Sequence, residues 1–128
     1  MEKLKEKLLD YLSGKPNYEK FNILHNEMGY DFNFIKELYP EYLKTFEDLK
    51  FKQHPNTWME GAIQGYLDFD NGHFVSVVGG SQGLYGDGVN TFEVGYPLPD
   101  YSIDVEGWLE SENVTKLMFK IQMKKPYE

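Results

Sequence analysis

Leu4, Leu8, Tyr11 and Leu12 recur at the spacing of one helical face and stop before Gly14, which predicts an amphipathic helix over 2–13. A second stripe, Tyr18, Phe21, Leu24 and Met28, follows Asn17 as its expected cap and ends at Gly29. Behind Asp31 come Phe34, Ile35, Leu38 and Tyr39, interrupted by Pro40. Proline is tolerated in the first turn of a helix, so Pro40 is expected to open a further helix bearing Tyr42, Leu43, Phe46 and Leu49. The first half reads as helical hairpins.

The period changes near residue 61. Ile63, Gly65, Leu67 and Phe69 alternate with Gln64, Tyr66, Asp68 and Asp70, Asn71-Gly72 gives a hairpin signal, and 73–78 returns. Phe92, Val94 and Tyr96 alternate with Thr91 and Glu93 as a third strand should, and 103–106 reads as a short fourth strand with Trp108 at its exit. Val114, Leu117, Met118 and Ile121 then mark a last helix capped by Ser111. Helices, an antiparallel meander and a final helix imply an α+β fold, with helices on one face of the sheet.

The 128 residues are expected to form one domain, made of a helical half (1–56) and an acidic sheet half with the terminal helix (57–128). The charge is one-sided. The first half carries nine Lys and ten acidic residues, the second four Lys and eleven, and no Lys or Arg occurs from Gln53 to Asn113. Such a field opposes binding to nucleic acid or anionic membrane and favours a basic protein surface. Every basic residue is Lys, so the chain offers no guanidinium fork for phosphate or carboxylate. With no cysteine, no apolar run of membrane length and no signal-like N-terminus, a cytoplasmic address is expected.

Five glycines fall within Gly79–Gly88. They lack the Lys and Ser/Thr of a phosphate loop, and a strand follows in place of a helix, so a connection rich in positive φ is expected; as a recognition loop it would present Leu84, Tyr85 and Asp87. Asp68-Phe-Asp70-Asn71-Gly72 begins like a calcium loop, but Gly79 stands where the twelfth-position Glu belongs, so it reads as a turn. His25, His54 and His73 lack ligand spacing and read as surface or turn residues; neither metal nor cofactor is expected. Glu93, Asp104, Glu106 and Glu110 read as a solvated acidic face rather than a glycosidase pair, and Trp58 and Trp108 as core or rim anchors.

The runs Val75-Ser-Val-Val-Gly-Gly80, Leu84-Tyr-Gly-Asp-Gly88, Thr91-Phe-Glu-Val94 and Val105-Glu-Gly-Trp-Leu109 resemble small proteins of bacterial genomes, phages and mobile elements. The resemblance covers 75 to about 121 and implies bacterial or phage origin; no activity or site residue comes with it. The leading expectation is a non-enzymatic interaction protein that meets a basic partner, as an inhibitor would, through Leu84, Tyr85, Asp87, Asp104 and Glu106. The alternatives are an enzyme or small-ligand binder with the glycine-rich segment as lid over Tyr85, Asp87, His73 and Glu93, and a module that self-associates through its aromatic helices.

Overall fold

A computed structural model describes residues 2–55, 61–81 and 83–127. Trp58 and the 56/57 boundary lie outside the described residues. The architecture is α+β. Helix α1 spans Glu2–Leu12; α2 spans Asn17–Asn22 and runs on as one π turn, Ile23–Glu27; α3 spans Phe32–Leu38; and α4 spans Ser111–Gln122. Five antiparallel strands, β1 (Lys52–Gln53), β2 (Ile63–Asp68), β3 (Phe74–Gly79), β4 (Phe92–Pro97) and β5 (Ile103–Leu109), lie side by side in chain order.

Two apolar clusters meet at α4. On the sheet side, Val75, Val77, Phe92, Val94 and Tyr96 pack with Leu49 and with Val114, Met118 and Ile121 of α4. Behind it, Leu8, Leu12, Phe21, Leu24, Ile35, Leu38 and Leu43 close around Phe119 of the same helix. The helices therefore form two layers: α4 lies on the sheet, and the first three pack on α4.

The C-terminal carbonyls of a helix have no partner within it and must find one elsewhere. Around the end of α4 they find distant side chains. Asn71 donates to Ile121 O at 2.8 Å and Lys124 O at 2.9 Å, and Asn22 donates to Met123 O. Gln122 Nε2 donates to Lys44 O at 2.9 Å while its Oε1 accepts from Lys44 N at 2.8 Å. Asn71 is thus more than a turn residue: its buried amide ties the β2–β3 hairpin to α4.

The helix expected from Pro40 does not form. Lys36 Nζ donates to Pro40 O and Leu43 O, each at 2.7 Å, and Gln122 takes both backbone groups of Lys44, so side chains use the groups a helix would pair. Only a 3-10 turn, Phe46–Asp48, follows, opened by a Thr45–Asp48 capping box. Two N-caps shift by one residue, to Pro16 and Glu110 from the expected Asn17 and Ser111. Strand β5 is longer than expected and contains Trp108. No described helix is long and apolar enough to cross a membrane.

Candidate functional site

The glycine-dense segment connects β3 to β4 by packing backbone on backbone. A Cβ on Gly86 would lie 2.5 Å from Phe92 Cα, and one on Gly79 would lie 2.7 Å from Gly88 N. These approaches exclude any side chain, which is a sufficient reason for glycine at both places. Asp87 closes the loop: its Oδ1 accepts from the N–H groups of Val89 and Asn90 at 2.8 Å and Thr91 at 2.9 Å, while its own N–H donates to Thr91 Oγ1 at 3.0 Å. The Thr91, Val89 and Asn90 amides push its carboxyl pKa down to about 2. Asp87 is a charged residue already committed to its own loop.

Tyr85 leaves the loop and lies over β5. Its N–H donates to Glu93 Oε1 at 3.2 Å, its carbonyl accepts from Trp108 N at 2.6 Å, and a Cβ on Gly107 would stand 2.3 Å from Tyr85 Cβ. The pairing explains the geometry. Phe92 faces Leu109 and Val94 faces Glu106, so Gly107 and Trp108 together oppose Glu93 in a β-bulge. Trp108 takes φ +57 there, and its ring meets Tyr85 edge-on at 6.4 Å. Both rings are largely exposed, Tyr85 at 57% and Trp108 at 62%. Of its two expected places, core or rim, Trp108 is therefore not in the core, and its exposed ring sits at a bulge within β5 instead of at the strand's exit.

Asp104 and Glu106 lie on the other side of β5. The hydroxyl of Tyr96, a largely buried residue, can donate only one proton at a time and sits 3.0 Å from Asp104 Oδ2 and 3.3 Å from Glu106 Oε2. Burial first, then the hydrogen bond and charge of the two carboxylates, push the Tyr96 pKa up to about 12. The five candidate binding residues consequently separate into two groups. Leu84, Tyr85 and Asp87 belong to the loop, with Tyr85 over the outer sheet face, whereas Asp104 and Glu106 share the α4 side with Tyr96. Residues Ile103 and Val105 alternate with the carboxylates onto the outer face, where Ile103 Cγ2 would touch a Cβ on Gly95 at 3.6 Å.

At the β4–β5 turn, Leu98 N donates to Ser102 O at 2.8 Å and Tyr101 N to Leu98 O at 2.9 Å. The β2–β3 turn repeats this pattern through Phe69, Gly72 and His73, with Gly72 at φ +83. Tyr101 takes the glycine's place at φ +68 and is 71% exposed. A left-handed backbone costs an L residue strain that glycine escapes.

His73 closes the β2–β3 turn, one of its two expected places, but is not on the surface. Only 3% exposed, it stacks on Tyr127 at 4.4 Å, and its Nε2 is 2.9 Å from Lys125 O. A carbonyl only accepts, so Nε2 donates to it; among the described residues the buried Nδ1 has no hydrogen-bonding partner. His73 lines a depression of about 570 Å³ with Pro99, Tyr101, Lys124 and Tyr127, whereas Tyr85 and Asp87 line a separate one of about 600 Å³ with Gly80, Leu84 and Trp108. Tyr85, Asp87, His73 and Glu93 do not line one cavity in these two depressions. His25 is half-buried, with Nδ1 2.9 Å from Tyr30 O, and the N–H of His54 donates to Ala62 O at 2.8 Å. In the acidic turn, Asp70 accepts from Asn17 at 2.5 Å and Asp68 from Tyr66 at 2.8 Å.

Sequence pattern announced the loop and the carboxylates but not the strained aromatics Tyr101 and Trp108, because a left-handed backbone at a residue other than glycine leaves no compositional signal. Comparison with protein-family models, curated proteins and solved structures returns no match.

Proposed function

We propose that this chain is a non-enzymatic interaction protein that holds a basic protein partner along β5. One observation carries the reading: the outermost strand is exposed from 103 to 106, carries Asp104 and Glu106, and belongs to a 61-residue stretch, Gln53 to Asn113, without Lys or Arg. Among the described residues neither carboxylate makes an ion pair, although Lys124 Nζ lies 5.1 Å over the Tyr96 ring, and exposed carboxylates attract cationic surfaces through a field that salt screens over about 8–10 Å. Asp87, expected to share in this contact, is assigned to the loop's internal bonds instead. A nucleic-acid-binding protein whose basic surface is occupied would be inhibited by such contact. The absence of cysteine and the resemblance to bacterial and phage proteins support a bacterial or phage cytoplasm as the setting.

The test is capture from nuclease-treated bacterial lysate with the wild type beside an Asp104→Asn/Glu106→Gln variant, at low and high salt. The expected result is a defined basic protein retained by wild type, released by salt and lost with the variant. Equal retention by both proteins, or retention insensitive to salt, would rule the charge mechanism out.

A further inference from the structure

We infer that β5 receives its partner by strand addition: a short extended segment, with Lys or Arg at alternate positions and apolar residues between them, pairs with the open margin of the sheet. The inference rests on the interaction reading above and names the form its partner takes.

Three independent features of β5 converge on it. It is the last strand of the sheet in the order β1-β2-β3-β4-β5, so among the described strands none pairs with its far side. A strand margin presents N–H and C=O groups that an incoming segment can pair, and this gives affinity while alternate side chains give specificity. The Val105 N–H donates to the neighbouring Asp104 Oδ1 at 3.0 Å, a local bond that a paired carbonyl would replace while a partner's cation took the carboxylate.

The second feature is the two-faced pattern of the strand. Asp104 and Glu106 sit on one side, and Ile103 and Val105, both exposed, on the other. A segment lying beside β5 in register continues both faces. Its residues next to Asp104 and Glu106 must be cationic to complement them, and those next to Ile103 and Val105 must be apolar. A second copy of β5 is disfavoured as occupant, because two-fold pairing sets like charges against one another.

Third, the strand is bracketed by exposed aromatics at backbone angles that strain them, Tyr101 at φ +68 before it and Trp108 at φ +57 within the bulge. Strain of this kind persists where surrounding structure enforces it and marks functional positions more often than chance. Large exposed rings are the side chains that most often anchor a partner. The bulge also ends regular pairing beyond Glu106, so the segment received is about five residues long.

The probe is a seven-residue peptide, acetylated and amidated, alternating Arg with Val, and two versions of it N-methylated on either every Val or every Arg. A paired strand turns alternate N–H groups toward its neighbour, so methylation of one set abolishes pairing and methylation of the other leaves it intact. Strand addition predicts that titration calorimetry finds one methylated peptide bound as the parent is, and the other at least about tenfold weaker. It also predicts slowed amide exchange within 103–106 on adding the parent. An Asp104→Lys/Glu106→Lys variant should prefer the corresponding Glu-Val peptide by about tenfold.

If both methylated peptides bind like the parent, strand addition is overturned and the charge reading stands. Loss of both relative to a binding parent also overturns it, since methylation of the outward groups should be harmless. No binding of the parent overturns it as well, and the salt-dependent capture then decides the interaction reading on its own.

Discussion

The β3–β4 loop and strand β5 lie against each other, joined by the bond from Trp108 N to Tyr85 O, and they treat their polar groups in opposite ways. Within the loop, Asp87 Oδ1 accepts from three backbone amides, and the glycines at 79, 86 and 88 exist so that main chain can touch main chain. Along β5, the carboxylates of Asp104 and Glu106 share one phenol proton, and the adjacent Ile103 and Val105 are exposed. A dense run of glycine is therefore a sign of tight self-packing in this molecule, and the place to look for a partner is the ordinary-looking strand beside it.

The contrast can be broken most severely at Gly86. A Gly86→Ala substitution puts a methyl 2.5 Å from Phe92 Cα, and backbone cannot swing aside, so urea unfolding should show a loss of about 3 kcal/mol. Next comes Asp87→Ala, which strips the acceptor from Val89, Asn90 and Thr91; hydrogen exchange should accelerate at those three amides while core strands keep their protection. In the wild type, acid should lower the protection of the same three amides relative to their intrinsic exchange rates. The folded pKa of Asp87 is lowered to about 2 from an ordinary value near 3.8, so its contribution is complete above the ordinary value and is lost as pH falls toward 2.

Tyr96→Phe removes the proton shared by the two carboxylates and should cost about 1 kcal/mol in the same unfolding measurement. Here the pH dependence has the opposite sense. The protonated phenol is favoured in the folded chain, with a pKa of about 12 against 10.0, so its contribution is present below pH 10.0 and disappears as pH rises toward 12. Wild type and Tyr96→Phe should converge over that interval. The smallest effect is expected on β5 itself, where Val105→Ala trims a side chain that is 46% exposed and should move stability by no more than about 0.5 kcal/mol. A larger loss there would mean that β5 is already engaged in packing, against the contrast drawn above.

Much of the fold was legible because periodicity is imposed by burial. Of the three expected helical stripes, Leu8, Leu12, Phe21, Leu24, Ile35, Leu38 and Tyr39 are buried while Leu4, Tyr11 and Met28 are exposed, and Phe92, Val94 and Tyr96 face the core together as their alternation requires. The failures have local physical causes. Tyr42, Leu43, Phe46 and Leu49 satisfy a helical template, yet the nearby Lys36 takes the carbonyls of Pro40 and Leu43, and Gln122, far along the chain, takes both backbone groups of Lys44, a contact that no window of sequence can reveal. Strand β1 has only two residues, too few to alternate. Asn71-Gly72 signalled its hairpin correctly and hid the role of Asn71 on α4, since turn chemistry accounts for asparagine there without any tertiary bond. Of the candidate site, the acidic residues of β5 could be named, but their separation from Leu84, Tyr85 and Asp87 depends on which side of a strand each occupies at a bulge.

The position of α4 between two apolar clusters has a consequence for synthesis. Phe119 completes the packing of the three N-terminal helices, while Val114, Met118 and Ile121 complete that of the sheet, and these residues follow all the other described elements in the chain. A ribosome therefore releases the first hundred or so residues with both apolar surfaces uncovered. Neither layer can finish before the other, and nascent chains stalled ahead of residue 111 should be held by chaperones or cleared by proteases, not stored as a folded half.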